Sequence, residues 1–240
     1  MPRALRSRLL FAHRGGAGLG PENTLKTIRR ALSQHVDGVE VDVRESRDSV
    51  LLAIHDKEIE RTTSGAGAIN ELTLDEIQQF DAGDGERVPT IEEVVDTVCA
   101  EDVELLLDLK PSRNGPAIAQ RLLDIVIERK CLKATVFSSS DSSILKGIKR
   151  RCAPARVGII VSFNSPKLFV GSFMGFDTVS MRAGAVLLNP FAIRRAHRDG
   201  ARVLVWFGRF SPRWFMRLSM KLGADGLIAD DLATARAAMG

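Results

Sequence analysis

Apolar residues fall in short runs along this 240-residue chain, and between the runs the spacing changes to that of amphipathic helices. Leu9-Leu10-Phe11-Ala12 reads as a buried strand. Asn23 or Thr24 can cap a helix running to about Gln34, since Leu25, Ile28, Ala31 and Leu32 share one helical face. Gly38-Val39-Glu40-Val41-Asp42-Val43 and Val50-Leu51-Leu52-Ala53-Ile54 flank a polar turn near Ser46 to Ser49. They predict an antiparallel hairpin in which Val50 faces Glu45 and His55 returns opposite Glu40. From Asp56 to Arg87 the pattern is irregular and polar, as in an insertion. After Pro89 helices and strands alternate. The strands are read over 103–110, 134–138, 156–161, 178–181, 202–206 and 226–230, with a weaker helix near Pro166 to Met174 and another opening at Asn189-Pro190 and ending at Arg198.

Such alternation implies a parallel sheet with crossover helices. Counting the strands before His13 and through Glu40, eight staves are available. The expected fold is therefore a closed (β/α)₈ TIM barrel, with the His55 run extending the second strand and a small insertion over about 56–87. An open doubly wound sheet would want a Gly-rich dinucleotide fingerprint after the first strand, and none is present. No linker-like segment divides the chain, so residues 1–240 are read as a single domain.

Composition changes this picture little. Lys and Arg number 34 against 30 Asp and Glu, a net charge of +4 that suits phosphate-bearing ligands or an anionic surface. No nucleic-acid motif accompanies it, and a nucleic-acid partner is not expected. Cys99, Cys131 and Cys152 are odd in number, far apart and without metal-type spacing. They are read as reduced, buried thiols, which favours the cytosol. The basic N-terminal residues are followed by an apolar run of only Leu9 to Ala12, too short for a signal-peptide core or a membrane span. The expectation is a soluble cytoplasmic protein, with peripheral membrane contact left open and the oligomeric state unset.

In a barrel, residues at or just past the strand ends face the mouth. These are His13 and Arg14 after the first strand, Glu40 and Asp42 on the second, Asp108 and Lys110 on the third, and His55 at the hairpin's return. Glu40 and Asp42 are two apart and leave the strand on one face. With Asp108 they form an all-oxygen set that suits one hard divalent cation, Mg²⁺ or Ca²⁺, rather than structural Zn²⁺. Arg14 and Lys110 offset the excess negative charge and suit a bridging phosphate. His13 and His55, with ordinary pKa near ~6.5, can pass protons at neutral pH. The implied chemistry is phosphoester cleavage assisted by a Lewis acid. A purely structural salt-bridge net is the bland alternative, but it would bury five or more ionisable groups without a ligand.

These residues also carry a resemblance. Ala12-His13-Arg14-Gly15, Pro21-Glu22-Asn23-Thr24, Glu40-Val41-Asp42-Val43, His55-Asp56, Arg61-Thr62-Thr63, Val88-Pro89-Thr90-Ile91-Glu92-Glu93 and Gly223-Ala224-Asp225-Gly226-Leu227-Ile228 resemble the pattern of the glycerophosphodiester phosphodiesterase family. The resemblance implies a (β/α)₈ barrel, a Ca²⁺ or Mg²⁺ ion, and hydrolysis of glycerophosphodiesters to glycerol 3-phosphate and an alcohol. It makes His13 and His55 the acid/base pair, Arg14 and Lys110 phosphate contacts, with Trp206 a further substrate contact, and Glu40 and Asp42 metal ligands. It also implies that the insertion after Asp56 caps the mouth.

Two positions depart from the family's pattern. Asp108 stands where Glu is usual, and Phe207-Gly208-Arg209 stands where Thr-Val-Asn usually follows the Trp. Phe207 and Phe210 are read equally as packing or as an apolar lining or membrane foot, whereas Trp214, Phe215 and Leu218 are read as the buried face of a helix. Ser138-Ser139-Ser140 is read as a helix-cap loop. Two other readings stay open: a lysophospholipase D-type hydrolase, and a catalytically weak phosphodiester-binding or membrane-associated protein.

Overall fold

The computed structural model describes residues 8–209 and 212–240. Among them nine strands form one sheet: β1 (Leu9–Ala12), β2 (Gly38–Glu45), β3 (Leu51–Ala53), β4 (Glu104–Leu109), β5 (Thr135–Ser139), β6 (Arg156–Val161), β7 (Thr178–Arg182), β8 (Arg202–Phe207) and β9 (Gly226–Ala229). The order is β1-β9-β8-β7-β6-β5-β4-β2, and β1 pairs with β2 to close the ring. Every pair in that ring is parallel, and β3 adds to β2 as an antiparallel extension. The (β/α)₈ barrel expected from the alternation is present.

The helices are α1 (Leu25–Ser33), α2 (Leu74–Ile77), α3 (Ile91–Val98), α4 (Gly115–Glu128), α5 (Ser142–Arg151), α6 (Ala183–Leu188), α7 (Phe191–Arg198), α8 (Arg213–Lys221) and α9 (Leu232–Met239). Their starts follow local chemistry. Thr24, Asp141 and Asp231 accept backbone N–H bonds at the heads of α1, α5 and α9, and Thr73 and Thr90 form capping boxes with Glu76 and Glu93. Val39, Val41, Val43, Leu105 and Leu107 point outward from their strands into the core shared with the helices.

Inward-pointing residues stack in layers. At the far end Glu104 pairs with Arg156 at 2.9 Å and with Arg202 at 2.5 Å, and Arg202 donates to Thr178 Oγ1 at 3.0 Å. Above this lies an apolar layer of Phe11, Leu106, Val136, Leu204 and Ile228. Gly38 is required there, because a Cβ would overlap the Phe11 ring. The third layer opens on the mouth.

Several expectations need correction. In the hairpin Glu45 pairs with Leu51 and Val43 with Ala53, one residue out from the predicted register. Ser46 N–H bonds the Val50 carbonyl across a loop that ends at Ser49 with φ 68°. That three-residue loop with a left-handed last residue sets the pairing, and regular pairing stops before His55. The predicted helix from Pro166 to Met174 is only a turn of 3₁₀ helix over Pro166–Leu168, and α6 was not anticipated. Ser138 and Ser139 belong to β5 rather than to a cap loop, and Asp141 does the capping. Cys99 and Cys131 are joined as a disulfide with Cα atoms 6.0 Å apart, against the expectation of three reduced thiols. Phe207 is 1% exposed with its ring edge-on to Phe215, so it packs rather than lines the mouth. Trp214, read as buried, is 62% exposed. Phe210 and the basic residues before Arg8 lie outside the described residues.

Residues 56–87 pack as a small lobe over the hairpin. Ile59, Ile69, Ile77 and Ala82 form a cluster with Leu52, Ile54 and Val88. No helix among the described residues is long and apolar enough to cross a membrane.

Candidate active site

The mouth of the barrel holds a cavity of about 200 Å³. His13, Arg14, Glu40, Asp42, His55, Asp108 and Lys110, anticipated from strand ends and the hairpin's return, line it together with Trp206, which the family resemblance implied. Register explains the gathering. Asp42 on β2 sits beside Asp108 on β4, and Glu40 lies one inward position below Asp42. The backbone after β1 turns sharply: Arg14 adopts φ 49° and ψ 48°, and its N–H donates to Glu40 Oε2 at 2.8 Å. A non-glycine residue held in that region marks a geometry fixed by its surroundings.

One oxygen each from Glu40, Asp42 and Asp108 lies within 4.8 Å of the others. Asn23, also at positive φ, donates its amide to Asp42 Oδ2 at 2.9 Å. Lys110 Nζ is 2.6 Å from Asp42 Oδ1 and also contacts Asp108 Oδ2. Charge is crowded here. Burial and then the Asp42 charge push Glu40 up to about 7. Burial raises Asp108 as well, against the pull of Lys110. Burial would also raise Asp42, but Lys110, His55 and the Asn23 hydrogen bond together bring it down to about 2. The protein's own cations therefore leave two of three carboxylates resisting ionisation. This all-oxygen set, short of positive charge, fits a hard divalent cation.

The two imidazoles are oriented by different carboxylates. His13 Nδ1 is 2.6 Å from Asp230 Oδ1, and each side chain is 13% exposed. Burial alone would depress the His13 pKa; the Asp230 hydrogen bond and the charges of Glu40 and Asp230 raise it above the ordinary value. Trp206 stacks on His13 with centroids 6.1 Å apart. His55 Nδ1 is 2.6 Å from Asp56 Oδ1. Its pKa is lowered, first by burial and also by the nearby Lys110 and Arg14 charges, which outweigh Asp42 and Asp56.

Sequence reasoning missed five contributors. Asp230 follows β9 directly, and the strand-end rule used for the others would have found it. A Cβ on Gly18 would overlap the Asp230 carbonyl, so the chain after His13 closes tightly over it. Arg61, from the inserted lobe, binds Glu22 Oε1 at 2.6 Å and Oε2 at 2.9 Å and also contacts Asp56. Glu22 in turn takes Arg14 Nη1 at 3.0 Å. A continuous ion-pair chain thus runs from Asp56, the hydrogen-bond partner of His55, through the lobe to Arg14. Ser138 and Ser180, 0% and 3% exposed, line the cavity floor with hydroxyls that have no hydrogen-bond partner among the described residues. Only the alternation of inward positions on β5 and β7 could have signalled them.

Buried acids short of balancing charge, with two oppositely tuned imidazoles beside them in one barrel mouth, define a class: barrel enzymes acting on anionic substrates. Comparison with known proteins narrows it. The profile of the Glycerophosphoryl diester phosphodiesterase family matches residues 13–234, and the chain belongs to that family. A glycerophosphodiester phosphodiesterase of Caldanaerobacter subterraneus subsp. tengcongensis is 28% identical over 244 residues, covering 94% of this chain and 95% of its own. Among solved structures, a phosphodiesterase of Oleispira antarctica in complex with the product sn-glycerol-3-phosphate has a TM-score of 0.83 at 23% identity, with 96% of each chain covered. The glycerophosphodiester phosphodiesterase of Agrobacterium tumefaciens str. C58 has a TM-score of 0.77 at 23% identity, covering 95% of this chain and 99% of its own. At those identities the structural likeness concerns the fold.

Proposed function

We propose that this chain, acting as one domain, hydrolyses glycerophosphodiesters to glycerol 3-phosphate and an alcohol. The observation that carries the reading is the pair of histidines tuned in opposite directions beside the carboxylate cluster, in a chain of this family. Each Nδ1–H donates to its carboxylate, which leaves Nε2 for chemistry. His55, lowered, is neutral at pH 7, and its Nε2 accepts the proton of the attacking hydroxyl or water. His13, raised, holds its proton more tightly and is the imidazole that donates from Nε2 to the leaving alcohol. Arg14 and Lys110 bind the phosphate oxygens, and Trp206 walls the site while fixing the His13 ring. Glu40, Asp42 and Asp108 would hold one divalent cation, Mg²⁺ or Ca²⁺, which when bound supplies Lewis-acid polarisation of the phosphoryl group. The unpartnered hydroxyls of Ser138 and Ser180 face the glycerol end of the substrate.

The test is turnover of glycerophosphocholine with a divalent ion present. His13→Ala and His55→Ala should each abolish it, and EDTA should remove it reversibly. Intact turnover in either variant, or indifference to EDTA, would sink the reading. A second reading, cleavage of lysophospholipids at the head group, is favoured by the exposed apolar side chains near the mouth. Comparing lysophosphatidylcholine with glycerophosphocholine separates the two. As to compartment, the cytoplasmic expectation loses its support from reduced thiols, and the Cys99–Cys131 bond favours an oxidising compartment. Alkylation of cell-derived protein under non-reducing conditions decides it, since three labelled cysteines would return the protein to the cytoplasm.

A further inference from the structure

Of the nine large apolar side chains exposed among the described residues, eight lie between positions 163 and 214. Phe163, Phe169, Val170, Leu188, Phe191 and Trp214 are 40%, 54%, 65%, 58%, 69% and 62% exposed. Scattered exposed apolar residues mean little, but this many in one sector of the barrel mark a surface that meets something. The segments that carry them are in contact. The Phe163 ring lies against Gly184 of α6, Asn189 donates to the Leu168 carbonyl at 2.8 Å, and Arg195 of α7 donates to the Phe169 carbonyl at 3.0 Å. Phe191 opens α7 and Trp214 is the second residue of α8. Crossover helices begin at the end where the strands finish, so both rings stand on the mouth side of the barrel.

Charge selects the partner. Residues 161–222 contain ten Lys and Arg but only two acids, Asp177 and Asp199. Asp177 precedes β7 and Asp199 follows α7, so both sit at the far end, where they are engaged by Lys149 and by Ser172. The mouth side of this sector carries arginines and no carboxylate. Arg213 even occupies the first position of α8, where the helix dipole favours an acid. Such a face would repel a second copy of itself. Arginines among exposed aromatic and aliphatic side chains match the phosphates and acyl boundary of an anionic bilayer. The sector also reaches the catalytic pocket: the Arg182 guanidinium lies 5.0 Å from the Phe163 ring and 5.2 Å from the Trp206 ring, which stacks on His13.

We propose that this sector docks the protein, mouth toward the lipid, on anionic membrane surfaces. The inference goes beyond the phosphodiesterase reading and stands without it. It is tested by co-sedimentation of the full chain with vesicles of phosphatidylcholine, with and without phosphatidylglycerol. Binding is expected only with phosphatidylglycerol, weakening as salt is raised, and the Trp214 fluorescence should shift to the blue. Leu188→Ser with Phe191→Ser should remove it. Arg194, an exposed residue of α7 in the turn that follows Phe191, supplies a second surface charge. Arg194→Gln with Arg213→Gln should weaken binding about 25-fold, at about fivefold per surface charge. These side chains are exposed and outside the catalytic pocket, so turnover of soluble glycerophosphocholine should be unchanged in both variants. The charge variant keeps the test valid if the apolar one fails to fold. No sedimentation with phosphatidylglycerol vesicles, or wild-type binding by both variants, would overturn docking. So would a wild-type dimer in solution that the apolar variant dissociates while vesicles bind neither.

Discussion

Asp230→Asn offers the sharpest test of the acid assigned to His13. The substitution keeps the side chain's shape and removes its charge. Asp230 and His13 are 2.6 Å apart and each only 13% exposed, so water screens the pair weakly. A hydrogen bond to a charged group is worth ~1.5–3 kcal/mol. At about 1.36 kcal/mol per pKa unit, its loss should lower the His13 pKa by ~1–2 units. The sign follows from the roles. His13 acts protonated and its pKa is raised, so it governs the alkaline limb; His55 acts neutral and its pKa is lowered, so it governs the acidic limb. In Asp230→Asn the alkaline limb of the kcat profile should therefore move down by ~1–2 units while the acidic limb stays. On the alkaline side of both limbs that equals a loss of ~10–100-fold. The assay is kcat against pH on glycerophosphocholine, with an NMR titration of the His13 ring as an independent reading. An unmoved alkaline limb, or a shift of the acidic limb instead, would refute the assignment.

Further outcomes follow from the same geometry. Arg61→Ala should cut kcat/KM by about 10-fold or more, as loss of an outer partner typically does, because Asp56 and Glu22 lose their shared cation. Steady-state kinetics read this, and wild-type values would show that the lobe does not position the site. Asp108→Asn should weaken divalent-ion binding by more than ~10–100-fold, the range typical of an outer-shell loss; calorimetric titration with Mg²⁺ and with Ca²⁺ measures it and also shows which ion is preferred. Phe207→Ala should cost ~3–5 kcal/mol in urea unfolding without raising KM, since the ring is buried against Phe215 rather than lining the pocket.

The barrel was readable because alternating helical and strand periods leave few alternatives, and seven mouth residues were readable because a strand-end position dictates where a side chain points, Trp206 being added by the family resemblance. What escaped depended on distance through space. The hairpin register turned on one left-handed residue, Ser49, that propensity does not forecast. Asp230 is 217 residues from the histidine it orients. Trp214 and Phe215 are neighbours on one helix, yet only the packing of Phe207 against Phe215 decides that Trp214 is the one left in solvent. Cys99 and Cys131 are brought together by the fold, and their spacing of 32 residues carries no sign of it.

The Glu104, Arg156 and Arg202 cluster beneath the apolar layer seals the barrel's far end. A pocket with one opening has traffic rules. On the proposed seating of the glycerol end at Ser138 and Ser180, substrate would enter with that end leading, the alcohol nearer the opening would depart first and glycerol 3-phosphate would leave last. Free enzyme would then be the form that meets glycerol 3-phosphate, and that product is expected to inhibit competitively, tying turnover to how quickly it is consumed.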